Sequence, residues 1–314
     1  MVMKNSLTLL FCCIAINITA QSRAVSRPIS FDIRYNRNES ANSENSNISG
    51  VYCQDVDKNI PITNATNNNT FVLVIANENY YDVANVKFAI NDGTVFCEYC
   101  RKTLGIPQRN IIYCSDATFG KMRKEIRVFT QLLQQYPDSK AIIYYTGHGI
   151  PDEKSRYCYL LPVDADATDV ETAYSVDELY KKLAETGCSS IIVLLDACFS
   201  GANKGNNDNM LYAAKGVAVK ERIGIPQGNM VVLSATSAQE TAQFFEKGNH
   251  GLFTYFLLQK LQNTAGDVTI YKLSEYITEH VRRESLNQSR KLQSPTIMSS
   301  PSLTTDWKDW KLTQ

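Results

Sequence analysis

Ala141-Ile-Ile-Tyr-Tyr-Thr-Gly-His148-Gly149 and, fifty positions beyond the histidine, Ile191-Ile-Val-Leu-Leu-Asp196-Ala-Cys198-Phe-Ser-Gly201 carry most of the information in this chain. Each is a short apolar run that breaks into small and polar residues. A buried parallel strand delivers a reactive side chain at its C-terminal end in that way. Neighbouring strands lie about 4.8 Å apart, so His148 and Cys198 on adjacent strand ends are expected to face each other as a Cys–His dyad. A thiol near its free pKa is only a few per cent ionised at neutral pH and needs a base beside it. His148 is the candidate base. Gly149 and the backbone amide of Cys198 are the candidate oxyanion donors, since glycine lets a carbonyl approach the main chain closely.

The same alternation extends on both sides of these blocks. Phe71-Val-Leu-Val-Ile-Ala76 reads as a strand, followed by a helix over about 88–104 that stops at Gly105 and Pro107. A strand at 110–114, a helix near 121–136, a hairpin at 157–161 and a helix from about 176 follow, the last capped by Ser175 with Glu178 three residues on. Beyond Cys198 the pattern gives a strand at 230–235, helices at 252–262 and 273–285, and a polar tail with Trp307 and Trp310. Strands alternating with helices predict an α/β fold, a mostly parallel central sheet with helices on both faces.

The 314 residues are 44% hydrophobic, enough for one large core or two small ones. Lys plus Arg and Asp plus Glu both number 32, so no basic field points to nucleic acid. Lys4, the apolar run 7–16 and Thr19-Ala20 have the order of a cleavable secretory signal, which predicts export and removal of residues 1–20. The apolar stretch is shorter than the roughly 20 residues of a membrane-spanning helix, so no membrane span is expected after signal removal. Residues 21–70 are rich in Asn and Ser and are expected to form a flexible leader, with glycan-acceptor patterns at Asn38, Asn47, Asn64 and Asn68. The catalytic domain is expected over 71–314, with a larger part 71–200, a linker 201–228 and a smaller part 229–314.

Seven cysteines remain once Cys12 and Cys13 leave with the signal: Cys53, Cys97, Cys100, Cys114, Cys158, Cys188 and Cys198. An odd number guarantees at least one thiol without an intramolecular partner. Cys97 and Cys100 have metal-pair spacing, but no second pair follows and the run around them is amphipathic. They are expected in a core helix, and no metal site is assigned. Asp152, Glu153, Asp164, Asp166 and Asp169 crowd the region after His148. Calcium, a hard cation that takes several oxygen ligands, is left unassigned there and no other cofactor is expected.

Tyr145-Thr-Gly-His148-Gly149 and Asp196-Ala-Cys198-Phe-Ser-Gly201 resemble the His and Cys blocks of the caspase-like cysteine peptidases, more specifically the metacaspase and orthocaspase branch. The resemblance runs from about Phe71 to the C-terminus and implies a caspase-like three-layer sandwich. The spacing of 50 matches that family's His-to-Cys interval. Asp196 stands two before the cysteine, where caspases that cut after Asp look like they use Gln. The metacaspase pattern implies that Asp196, with Asp92 from the block Ala89-Ile-Asn-Asp92, forms the P1 pocket, and Thr146 is carried with them as a substrate-binding residue. Apolar Ala89 stands where that block often has Cys. Two carboxylates in a partly desolvated pocket favour a guanidinium or ammonium and repel an acidic side chain, so cleavage after Arg or Lys is expected. The resemblance also gives the linker 201–228 a role, self-cleavage, with Lys215 and Lys220 as candidate sites among Lys204, Lys215, Lys220 and Arg222. Two other classes stand beside the endopeptidase: a catalytically silent interaction module of the same fold, and a thiol amidase acting on another acyl substrate. Protein or peptide substrates are the expected partners, and oligomeric state is left open.

Overall fold

A computed structural model describes residues 54–152, 155–199, 202–203, 206–210, 224–237 and 240–313. The expected signal 1–20, most of the leader, the acceptor patterns at Asn38 and Asn47, and Lys204, Lys215, Lys220 and Arg222 of the linker lie outside the described residues. Within them no helix is long and apolar enough to cross a membrane.

Four apolar runs, each flanked by helices, set the core. In chain order come β1 (Thr70–Ala76), α1 (Ala89–Lys102), β2 (Ile111–Ser115), α2 (Phe119–Gln135) and β3 (Lys140–Thr146). A small antiparallel sheet of β4 (Gly149–Pro151), β5 (Cys158–Leu160) and β6 (Tyr174–Ser175) follows, then α3 (Val176–Ala184) and β7 (Ser190–Asp196). The second half holds a hairpin of β8 (Ala202–Asn203) and β9 (Asn206–Met210), then β10 (Met230–Ser234), β11 (Phe244–Phe245), β12 (His250–Gly251), α4 (Leu252–Thr264), α5 (Ile270–Ser289) and β13 (Thr296–Ser299). The six-stranded sheet has the order β13-β10-β7-β3-β1-β2, parallel throughout except for antiparallel β13 at one edge.

β1, β3, β7 and β10 read as unbroken apolar runs because both faces of the sheet are covered. Alternate residues serve opposite sides: Ile142, Tyr144, Ile192 and Leu194 pack under α1, α4 and α5, whereas Ile143, Tyr145, Ile191 and Val193 pack against α2 and α3. This is the expected α/β sandwich in three layers. Thr118, Ser175 and Thr269 cap α2, α3 and α5 by accepting from the backbone N–H three residues on, each worth about 1 kcal/mol. α1 has no such residue of its own, since Phe88 precedes it in the left-handed region with φ 68°. The Glu78 carboxylate, from the loop after β1, accepts from Ile90 N–H instead (2.9 Å).

Two expectations change. The described part of the leader expected over 21–70, residues 54–69, is packed as a strap along α1 and α4. Val56 is buried, Tyr99 Oη donates to Val56 O (2.8 Å), and Gln54 bonds to Gln262 and to Asn263 (2.9 Å). Farther along, Thr63 Oγ1 donates to Thr103 O, and Asn67 Nδ2 donates to Leu312 O (2.8 and 2.9 Å). A few well-placed polar groups and one valine hold a segment whose composition reads as uncommitted. The tail expected to be merely polar contains β13 and an anchored end, with Trp307 and Leu312 buried and Trp310 O accepting from Ile270 N–H.

Candidate active site

The sheet brings the two sequence blocks to one level. β3 and β7 pair in parallel with Thr146 opposite Asp196, so His148 and Cys198 each stand two residues past the last paired position. The strand order reverses between β2 and β3 on either side of β1, and ligands of open α/β sheets bind outside the carboxyl ends of the strands at such a switch point. His148 and Cys198 are both 1% exposed. The thiol of Cys198 points at the carbonyl of Glu240 (3.4 Å), which places the segment after β10 beside the candidate nucleophile.

His148 is fixed through its main chain and through its ring. Its N–H donates to Tyr80 Oη (2.8 Å), and its carbonyl accepts from Tyr145 Oη (2.7 Å). The Tyr80 ring packs against the imidazole with centroids 4.7 Å apart. Burial pushes the phenol pKa of both tyrosines up, so they remain neutral hydroxyls. His148 Nε2 lies 2.7 Å from the carbonyl of Ala84. A carbonyl only accepts, so Nε2 carries the hydrogen and Nδ1 of the neutral ring holds the basic lone pair. The Ala84 loop is itself pinned: Asp116 accepts from Glu78 N and Asn79 N, Asn85 accepts from Tyr80 N, and Val86 N donates to Glu78 O.

Gly149 occupies a gap that nothing larger fits. A β-carbon there would meet Phe199 Cδ1 at 2.5 Å and the Cys198 carbonyl at 3.0 Å. The glycine therefore lets the histidine block and the cysteine block close on one another.

Asp92, Thr146 and Asp196 converge on the α1 side of the sheet. Gly93 permits this approach, because a β-carbon there would lie 2.7 Å from that of Ala76. Both carboxylates are fully buried. Asp196 accepts from Thr254 Oγ1 (2.6 Å), which is itself 2.6 Å from Tyr144 Oη. Asp92 lies 3.5 Å from Thr146 Oγ1, accepts from Gly251 N–H (3.2 Å) and faces His250 Nδ1 at 2.7 Å. The other ring nitrogen, Nε2, faces Asp57 Oδ1 of the strap, also at 2.7 Å. Burial opposes the charge on His250, but the hydrogen bonds and charges of Asp57 and Asp92 outweigh it and push its pKa up to about 9.

The blocks and spacing alone therefore point to His148, Cys198, Gly149, Asp92, Asp196 and Thr146, but not to Tyr80, Ala84, Tyr145, Thr254 or His250. His250 opens a helical run and reads as structural; its two carboxylate partners lie 158 and 193 positions away. Ala84 contributes a main-chain oxygen, which any residue supplies.

Four of the five acidic residues after His148 have hydrogen-bond partners, and Glu153 lies outside the described residues. Asp164 accepts from Phe119 N, Asp166 from Thr168 N, Asp169 from Glu171 N and Asp152 from Ser155 N. They cap helices and close turns, and no group of three or more His, Cys, Asp or Glu among the described residues is arranged to hold a metal ion. Cys97 and Cys100 are free thiols on α1, as are Cys114 and Cys188 elsewhere. Burial pushes Cys97 up to about 12 and raises Cys100, which leaves neither a ready ligand nor a ready nucleophile.

Residues 69–306 match the model of the caspase domain of the C14 peptidases. The chain belongs to the caspase-domain family. Caspase-1 from Spodoptera frugiperda is similar in fold, with 15% identity, a TM-score of 0.54, and coverage of 79% of this chain and 96% of that one. No curated protein matches. Membership of this peptidase family is consistent with hydrolase activity.

Proposed function

We propose that this caspase-domain protein is a cysteine endopeptidase of the metacaspase or orthocaspase type that cuts after Arg or Lys. The observation that carries the reading is the common level of His148 and Cys198 past paired strand ends, with Nε2 committed to the Ala84 carbonyl. That tautomer leaves Nδ1 to accept the thiol proton. The Cys198 thiolate then adds to the scissile carbonyl carbon. Gly149 and Cys198 backbone amides serve the oxyanion, a role in which one donor is worth about 3 to 4 kcal/mol.

Collapse of the tetrahedral adduct breaks the C–N bond, and the amine departs with the proton held by His148. The acyl group is left as a thioester on Cys198. Water loses a proton to His148, attacks the thioester, and the second collapse releases the carboxylic acid and restores the thiol. The contact between Cys198 Sγ and Glu240 O describes the resting thiol and is lost on thiolate formation.

Asp92, Asp196 and Thr146 form the P1 pocket in this reading, supported by their convergence beside the cysteine strand. Lys215 and Lys220 are the proposed self-processing sites. The test is hydrolysis of matched fluorogenic peptides ending in Arg, Lys or Asp, by the wild type and by Cys198→Ala, with calcium and with chelator. Cleavage after Arg or Lys that vanishes in the variant is expected. Cleavage after Asp sinks the pocket assignment, a profile without P1 preference favours the thiol amidase, and no cleavage under any condition favours the silent module.

A further inference from the structure

The reading above gives the P1 pocket two carboxylates, but one of them already has a cation beside it. His250 is fully buried, with Nδ1 2.7 Å from Asp92 Oδ1 and Nε2 2.7 Å from Asp57 Oδ1. Ionised carboxylates only accept, so a ring that satisfies both must donate from both nitrogens and carry a positive charge. The pKa of about 9 agrees with this hydrogen-bond count.

We propose that His250, held by Asp57 of the N-terminal strap, is a specificity-determining residue that cancels the charge Asp92 would otherwise present to a P1 side chain. This rests on the acidic P1 pocket proposed above. The arrangement moderates the attraction for Arg and Lys and makes the strap part of the specificity apparatus, although Asp57 lies far outside the sequence blocks. The same pairing keeps a deeply buried carboxylate from standing uncompensated when no substrate is present. The charged groups that face the ring are Asp57 on the strap and Asp92 on α1. Asn91, also on α1, contributes an amide 3.5 Å from Nε2. Asp57 and Asp92 are the two that touch the imidazole.

The test compares kcat/KM for a peptide with P1 Arg and its twin with P1 citrulline, which keeps the shape and removes the charge. Titration of the dyad is common to both substrates and cancels in the ratio. Wild type is expected to hold a constant Arg-to-citrulline ratio from pH 6 to about 8 and to raise it as His250 deprotonates near pH 9. His250→Gln, whose amide still reaches Asp92, is expected to raise the ratio at pH 7 about tenfold and to abolish its rise with pH, since unmasking one charge in a partly desolvated pocket has an effect of that order. Asp57→Asn removes a partly exposed partner and leaves the ring in place. It is expected to move the rise to lower pH without raising the ratio at pH 6, which a general loosening of the fold does not produce.

Wild type with a strong Arg preference, and both variants matching it at every pH, overturns the role of His250 and leaves the pocket reading intact. Wild type without preference for Arg over citrulline overturns both. Should His250→Gln fail to fold, Asp57→Asn decides alone.

Discussion

Replacing Gly149 by Ala tests whether the close contact between the two sequence blocks is what aligns the dyad. The added β-carbon would stand 2.5 and 2.6 Å from Phe199 Cδ1 and Cε1 and 3.0 Å from the Cys198 carbonyl, whereas ordinary contact begins at 3.4 Å. Relief therefore requires a displacement of about 0.9 Å, and Phe199 is only 2% exposed, with packed neighbours behind it. Overpacking of this kind costs about 1 to 3 kcal/mol of stability. The shift is transmitted to Cys198, the residue bonded to Phe199, and a misplacement of about 1 Å lowers the rate of a positioned reaction roughly 100-fold. The assay is kcat/KM on a P1 Arg peptide, with the fraction of folded protein measured by denaturant titration at the same pH. The double variant Gly149→Ala/Phe199→Ala, in which the blocking ring is gone, should lose less activity than the two single losses combined. Wild-type kcat in folded Gly149→Ala would refute the argument that this contact sets the alignment.

Three further outcomes follow from the buried hydrogen bonds. Tyr80→Phe deprives the buried His148 N–H of its acceptor, which should cost about 1 to 3 kcal/mol in denaturant unfolding and lower kcat more than it changes KM. Thr254→Val keeps the shape but removes the hydroxyl between Tyr144 and Asp196. A loss of about 2 to 3 kcal/mol and a raised KM for Arg peptides are expected, and an unchanged KM would separate Asp196 from substrate binding. His250 has its folded pKa raised from 6.5 to about 9, so its contribution to stability is complete below about pH 6.5 and is lost as pH rises through about 9. Unfolding free energies at pH 6 and pH 9.5 should differ by about 3 kcal/mol from this group. The difference should shrink in His250→Gln, and an equal difference in both proteins would show that the histidine is not the titrating group.

How much of this was legible before the fold was known depends on the range of each interaction. The apolar runs at 71–76, 141–146 and 190–195 specify buried strands locally, because a segment covered on both faces has no polar alternation to show. Ser175 with Glu178 specifies a helix start within four residues, and the structure has that cap. Gly149 and the positions of His148 and Cys198 at the breaks of two such runs define the candidate dyad. The segment 54–69 was not legible, because its binding comes from carbonyls and hydroxyls spread over α1, α4 and the C-terminal tail. β13 was missed for a related reason: Thr296–Ser299 is short and half-buried, and gains strand character only by pairing with β10.

The sequence by itself determined where the candidate nucleophile and the candidate base stand, each at the end of an apolar strand, since strand periodicity and backbone geometry act over a few residues. Only the tertiary structure decided the state of those groups. The tautomer of His148 follows from a carbonyl 64 positions away, and the charge of His250 from two carboxylates on a strap and a helix that meet only after folding. Protonation depends on what lies within hydrogen-bond distance in space, and distance along the chain carries almost none of that information.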